Sequence, residues 1–143
     1  MTGNKILLVD DEEEFARTMA ERLEARGLRV DVAFSGTEAL EQAQKKNFDA
    51  VILDLAMPGM DGIATLKKFR EINPDLQIII LTGQATVEKG VEAMKLGAVD
   101  LMEKPADLKD LLAKIEDASS KKALLVEKHI DEQLKDIMGK KGW

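Results

Sequence analysis

Three carboxylates, one hydroxyl and one ammonium stand at the ends of short apolar runs, and together their types suit chemistry at a phosphoryl group. Asp10 and Asp11 follow KILLV (residues 5–9), and Asp54 follows AVIL (50–53). Thr82 follows QIIIL (77–81), and Glu103-Lys104-Pro105 follows VDLM (99–102). Gathered at one place, Asp10, Asp11 and Asp54 carry up to three negative charges, which is costly alone and favourable around a hard cation. The chain has no cysteine and one histidine, so the ligands on offer are oxygens and point to Mg²⁺, with Mn²⁺ as the other fit, rather than zinc. Lys104 is a point charge suited to a phosphoryl oxygen, and Thr82 adds a hydroxyl donor. A metal, a lysine and a hydroxyl around a carboxylate describe phosphoryl transfer to that carboxylate. Asp54 is the expected nucleophile, because it lies on the central apolar run and the other groups flank it.

These groups meet only if the runs are neighbouring strands. KILLV, LRVDVA (28–33), AVIL, QIIIL and VDLM alternate with stretches of helical period. Near-continuous Ile, Leu and Val suit parallel strands covered on both faces, while the alternation in LRVDVA suits an edge strand. Phe15, Ala16, Met19, Ala20 and Leu23 mark one helix. Ser35-Gly36-Thr37-Glu38 reads as a capping box opening a second, which runs through Leu40 and Ala43 to Lys46. Ile63, Leu66, Phe69 and Ile72 mark a third, ended by Asn73-Pro74. Val87, Val91 and Met94 mark a fourth, closed by Gly97, and Asp107 caps a fifth carrying Leu108, Leu111, Leu112 and Ile115. This (βα)₅ pattern predicts a doubly wound three-layer α/β sandwich with right-handed crossovers. Ligands of such folds bind beyond the carboxyl ends of the strands, where the five groups above fall.

Composition narrows the alternatives. At 143 residues the chain suits one ordinary core plus an appendage. Without cysteine it has neither disulfides nor thiol chemistry. No apolar run reaches the roughly 20 residues of a membrane span, and MTGNK lacks the apolar stretch of a secretory signal, so a cytoplasmic protein is expected, with no membrane partner. The net charge is −6, which does not indicate a surface that contacts nucleic acid directly. Residues 118–143 hold six lysines against four acids, whereas residues 1–117 carry a net −8, and this shift marks the tail as a separate element. Glu12, Glu13 and Glu14 are expected only to open the first helix, where its dipole favours acids.

The motifs LLVDDE at 7–12, ILDLAMPGMDG at 52–62, LTG at 81–83 and EKP at 103–105 occur in the order and spacing of one family. Over about residues 4–117 the chain resembles the receiver domain of response regulators. The resemblance implies a five-stranded parallel sheet of order 2-1-3-4-5 and a phosphorylation-activated switch of a two-component phosphorelay. It makes Asp54 the acceptor of a phosphoryl group from a sensor histidine kinase or phosphotransfer protein. Asp11 and Asp54 become direct Mg²⁺ ligands, joined by the backbone carbonyl of Ala56, with Asp10 acting through a water. Thr82 matches the switch hydroxyl and Lys104 the lysine that contacts phosphate. Pro105 matches a position whose preceding peptide bond is usually cis. The helix-four, strand-five and helix-five face would then control a downstream protein. The family often has an aromatic residue three positions before the lysine; here it is Leu101, and the chain has no tyrosine. Rotation of a tyrosine is therefore excluded, and leucine repacking is the expected substitute. Gln84 and Ala56 occupy positions that tune dephosphorylation in the family, and Gly83 and Ala85 leave room for the phosphoryl group.

Beyond this receiver unit, residues 118–143 form an amphipathic helical extension in which Ala123, Val126, Ile130, Leu134 and Ile137 share one face and Gly139 ends the pattern. Ser119-Ser120 either interrupt the fifth helix or lie within it. The stripe needs a partner, and a homodimer in a short coiled coil is the expectation. His129 is expected to face solvent. The favoured reading is a switch without a separate output domain and with no enzymatic role beyond phosphorylation and dephosphorylation of itself. A receiver segment of a larger transcriptional regulator is the alternative, although 26 residues are too few for a helix-turn-helix with its supports. A Mg²⁺-dependent aspartyl-phosphate phosphohydrolase would need a second aspartate two positions past the nucleophile, where Asp54 is followed by Leu55-Ala56. A flavodoxin-like cofactor binder would need a phosphate-binding loop where Asp10 and Asp11 stand.

Overall fold

In a computed structural model, which describes residues 4–55, 62–83, 87–105 and 107–140, strands and helices alternate five times. They are β1 (Lys5–Val9), α1 (Glu13–Glu24), β2 (Arg29–Ala33), α2 (Gly36–Lys45), β3 (Ala50–Asp54), α3 (Gly62–Ile72), β4 (Ile78–Thr82), α4 (Val87–Lys95), β5 (Asp100–Glu103) and α5 (Leu108–Lys140). All pairings are parallel, in the order β2-β1-β3-β4-β5, so the architecture is the (βα)₅ sandwich that the alternation predicts. β2 is indeed an edge strand. Asp54, Thr82 and Glu103 are the last residues of β3, β4 and β5, not residues just past them, because the ladder still holds them: Asp54 pairs with Leu81, and Thr82 with Glu103.

The period of two along each strand divides the apolar residues between two cores. Leu7, Val9, Val51, Leu53, Ile78 and Ile80 point to the side covered by α2, α3 and α4, where Ala39, Leu66, Phe69 and Ala93 meet them. Ile6, Leu8, Ile52, Ile79 and Leu81 point to the other side, against Met19 and Leu23 of α1 and Leu111 and Ile115 of α5. β3 and β4 are buried along their whole length. A carboxylate at the end of β3 is thus fixed by a wall that cannot shift without opening both cores.

Helix ends follow side-chain chemistry. The Ser35 hydroxyl accepts the Glu38 N–H at 3.1 Å, which caps α2. The Glu38 carboxylate reaches back to the N–H of Phe34 at 3.3 Å, one residue earlier than a capping box predicts. Ser35→Ala is expected to cost about 1 kcal/mol, read as a lower urea midpoint at unchanged slope. Asp107 caps α5 as anticipated, accepting the N–H of Lys109 at 2.8 Å.

Of the two courses open to the fifth helix at Ser119-Ser120, the structure takes the unbroken one; propensity alone does not stop a helix already nucleated by Leu111 and Ile115. Three expectations are corrected. α5 does not end at Gly139 but runs on to Lys140. Val91 and Met94 do not form the buried face of α4, and both are substantially exposed. Gly90 and Ala93 face inward instead, and a Cβ on Gly90 would lie 2.9 Å from a methyl of Leu101. Small residues let the α4 backbone approach β5, so the larger ones are left outside. Ile72, at the end of α3, is likewise exposed.

Candidate functional site

Asp10 is the first residue past β1, with its N–H bonded to the carbonyl of Ala33 in β2 at 3.1 Å. Its side chain is fully buried, and its two oxygens have separate partners. Oδ1 accepts the N–H of Glu12 at 3.0 Å, and Oδ2 accepts Lys104 Nζ at 2.8 Å. Asp54, at the end of β3, is also buried, with Oδ2 3.6 Å from the same ammonium. Carboxylate oxygens of Asp10, Asp11 and Asp54 lie within 4.8 Å of one another. The structure therefore brings together the three acids that the sequence places at separate strand ends.

Lys104 lies just beyond β5, where its N–H donates to the Thr82 carbonyl at 2.8 Å. That bond seats the lysine beside the end of β4, and a cis peptide joins it to Pro105, as the family resemblance implies. Thr82 is fully buried, and its hydroxyl donates to the Gly83 carbonyl at 3.0 Å. Among the described residues, a Cβ built on Gly83 would meet nothing within 4 Å. Leu101 stands mid-strand in β5, opposite Ile80, and rests on Gly90. Ala56, Gln84 and Ala85 lie outside the described residues.

Two neighbours of Lys104 escaped the reading of the sequence. Glu12 is not merely the opening of α1: its carboxylate comes within 3.4 Å of Lys104 Nζ, although it is largely exposed and so worth little energetically. Phe15 places its ring 4.7 Å from that ammonium, within cation–π range. Only a contact spanning some 90 residues of chain reveals either role, whereas Phe15 as an apolar helix residue was legible.

Burial pushes the Lys104 ammonium toward neutrality, but the hydrogen bond and charge of Asp10, then the charges of Asp54 and Glu12, outweigh it. The net result holds its pKa above the ordinary lysine value. A raised pKa gives stability that is complete below the unfolded lysine value and is lost as pH rises through the folded one. Lys104 therefore stays cationic across the neutral range, and its ion pair gives way only in strong alkali.

One ammonium cannot balance three converging carboxylates. Two buried acids and a half-buried one at this spacing fit a hard divalent cation held through oxygen, with Asp10, Asp11 and Asp54 as the donor set. The backbone beneath them leaves little tolerance. Gly62 opens α3 with its N–H on the Leu55 carbonyl at 2.9 Å, and a Cβ there would fall 2.3 Å from Leu55 Cα and 2.8 Å from the Asp54 carbonyl oxygen. Because these are backbone atoms, the end of β3 would have to move. Gly62→Ala is expected to cost at least about 2 kcal/mol by overpacking and to weaken Mg²⁺ binding, read by urea unfolding with and without the ion.

Comparison with known proteins agrees with this geometry. The family model for the response regulator receiver domain matches residues 6–116. The transcriptional regulatory protein ZraR of Escherichia coli K12 is 42% identical over 113 residues, covering 79% of this chain and 26% of ZraR. The chain thus spans about a quarter of that relative's length. A response regulator receiver domain protein from Clostridium thermocellum superposes with a TM-score of 0.81 at 35% identity, over 85% of this chain and 98% of that one. NtrX from Brucella abortus superposes with a TM-score of 0.84 at 29% identity, over 90% of this chain and 30% of its own. With the matched segment covering both the sheet and every residue of the acidic site, the chain belongs to the response regulator receiver domain family.

Proposed function

We propose that this receiver is a phosphorylation-activated switch of a two-component phosphorelay, with Asp54 as the acceptor. The observation that carries the reading is the convergence of Asp10, Asp11 and Asp54 within 4.8 Å, with Lys104 Nζ 2.8 Å from Asp10 and 3.6 Å from Asp54. A carboxylate oxygen of Asp54 attacks the phosphorus of a phosphohistidine on a sensor kinase or phosphotransfer protein. The new P–O bond forms as the P–N bond breaks, and the imidazole leaves. Mg²⁺, held by Asp11 and Asp54, with the Ala56 carbonyl as a third ligand and Asp10 through a water, would neutralise charge on the transferring group. Lys104 offers its ammonium to a phosphoryl oxygen, and the Thr82 hydroxyl leaves the Gly83 carbonyl to donate to another. Leu101, seated over Gly90, then repacks and carries the change to α4 and to the face it shares with β5 and α5. Exposed Val91 and Met94 give α4 an apolar surface for a downstream protein. The chemistry is confined to the protein's own aspartate, so the chain is a switch, not an enzyme acting on a separate substrate.

A second reading has one observation in its favour: the chain matches only part of ZraR and NtrX, and ZraR is a transcriptional regulator. In that case the same switch would act within a longer protein and reach DNA through another segment. Among the described residues no helix is long and apolar enough to cross a membrane, and a cytoplasmic location suits either reading. Exposure to acetyl phosphate and Mg²⁺ followed by intact mass tests the switch; one phosphoryl group per chain is expected, and none would refute it.

A further inference from the structure

Among the groups around Lys104, one carries no charge. The ammonium donates to Asp10 at 2.8 Å and lies 3.4 Å from Glu12 and 3.6 Å from Asp54. The fourth neighbour is the ring of Phe15, with its centroid 4.7 Å away. The Lys104 side chain is only 18% exposed, although it stands just beyond a strand end. Phe15 is not a loose cover. It is the third residue of α1, half-buried, and it packs against the core that holds Met19, Leu81 and Met102.

The carboxylates and the ring ask different things of the lysine. For Lys104 to meet a phosphoryl oxygen on Asp54, its 2.8 Å hydrogen bond to Asp10 has to give way. Hydrogen bonds weaken steeply with angle and distance, whereas a ring face attracts a cation out to about 6 Å from its centroid. Starting at 4.7 Å, the ammonium has room to move toward Asp54 without leaving that range. A lysine stem also has many rotamers, and a ring fixed beside it removes some of them before the phosphoryl group arrives. Glu12 cannot serve in this way. Its carboxylate is largely exposed, and its charge competes with the phosphoryl group for the ammonium.

We infer that Phe15 is a positioning residue for phosphoryl transfer, its ring holding the Lys104 ammonium beside Asp54 before and after the group arrives. The inference rests on the function proposed above and adds to it a residue outside the acidic cluster.

Uptake from acetyl phosphate at saturating Mg²⁺ reads this role apart from any contact with a donor protein. Phe15→Leu keeps an apolar side chain but no ring, and is expected to slow uptake by about three- to thirtyfold with Mg²⁺ affinity unchanged. Phe15→Tyr restores a ring and should return the rate to within about twofold of the unaltered chain. In a Lys104→Met background, adding Phe15→Leu should slow uptake no further, because the ring acts through the ammonium. By NMR, the Lys104 ε-methylene protons should lie upfield of their position in Phe15→Leu, and should stay there under excess acetyl phosphate. Full-speed uptake by Phe15→Leu, equal slowing in Phe15→Tyr, or added slowing on top of Lys104→Met would each overturn the inference. So would a ring shift that is absent or that vanishes on phosphorylation. No uptake by the unaltered chain would instead remove the proposed function, and this role with it.

Discussion

Asp54→Asn is expected to take up no phosphoryl group from acetyl phosphate and Mg²⁺, while the unaltered chain takes up one. The effect should be all-or-none by intact mass, because an amide oxygen is a poor nucleophile and binds a hard cation weakly. Two features make the result diagnostic. Asp54 is almost fully buried at the end of a fully buried strand, so the amide should occupy the same place without disturbing either core. Removing one of three converging carboxylates also relieves repulsion, so the variant should be no less stable without metal. Loss of uptake with retained stability assigns the chemistry to Asp54. Equal uptake by the variant would remove the basis for the proposed function.

Lys104→Met is expected to give two opposite signatures. Asp10 is fully buried and loses the ammonium that stands 2.8 Å from its carboxylate. Stripping one member from a buried pair costs several kcal/mol; with the Lys104 side chain still 18% exposed, a loss of about 2–3 kcal/mol is expected. That should lower the thermal midpoint by about 5–10 °C for a chain of this size. Mg²⁺ affinity should move the other way. The ammonium competes with a cation for the same carboxylates, and at about 4 Å that repulsion is worth a few kcal/mol at most in a partly screened site. A gain of about tenfold in Mg²⁺ affinity, measured calorimetrically, would restore much of the lost stability at millimolar ion. If Mg²⁺ binding weakened instead, the lysine would have to support the metal rather than oppose it.

The sheet and its acidic edge were readable because each depends on local pattern. Runs such as AVIL and QIIIL cannot be solvated, and parallel strands force whatever follows them to one edge. Asp10, Asp11, Asp54, Thr82 and Lys104 needed no knowledge of side-chain rotamers to be grouped. What was hidden depends on contacts between distant segments. Glu12 is indistinguishable in sequence from Glu13 and Glu14, yet it alone reaches Lys104. Val91 and Met94 have helical spacing, but Gly90 and Ala93 beside them allow a closer fit to Leu101, and closeness decides which face is buried. The course of α5 at Ser119-Ser120 stayed open in the sequence, because propensity is weak beside the packing of Leu111, Ile115 and Ala118 on the sheet.

The unbroken course of α5 has a mechanical consequence. Thirty-three residues of α-helix are about 50 Å long, and the segment beyond Ala118 is about 30 Å of that length. Its inner end rests on the same core as Ile52 and Leu81, the neighbours of the acceptor and of Thr82. A rod magnifies angle into distance, so a tilt of roughly 5° at that core, with Lys122 and His129 leaving the Phe48 carbonyl and Asp75, would carry the tip about 3 Å. Repacking too small to alter the sheet would thus arrive at Ile137 as a displacement comparable to half a helical turn.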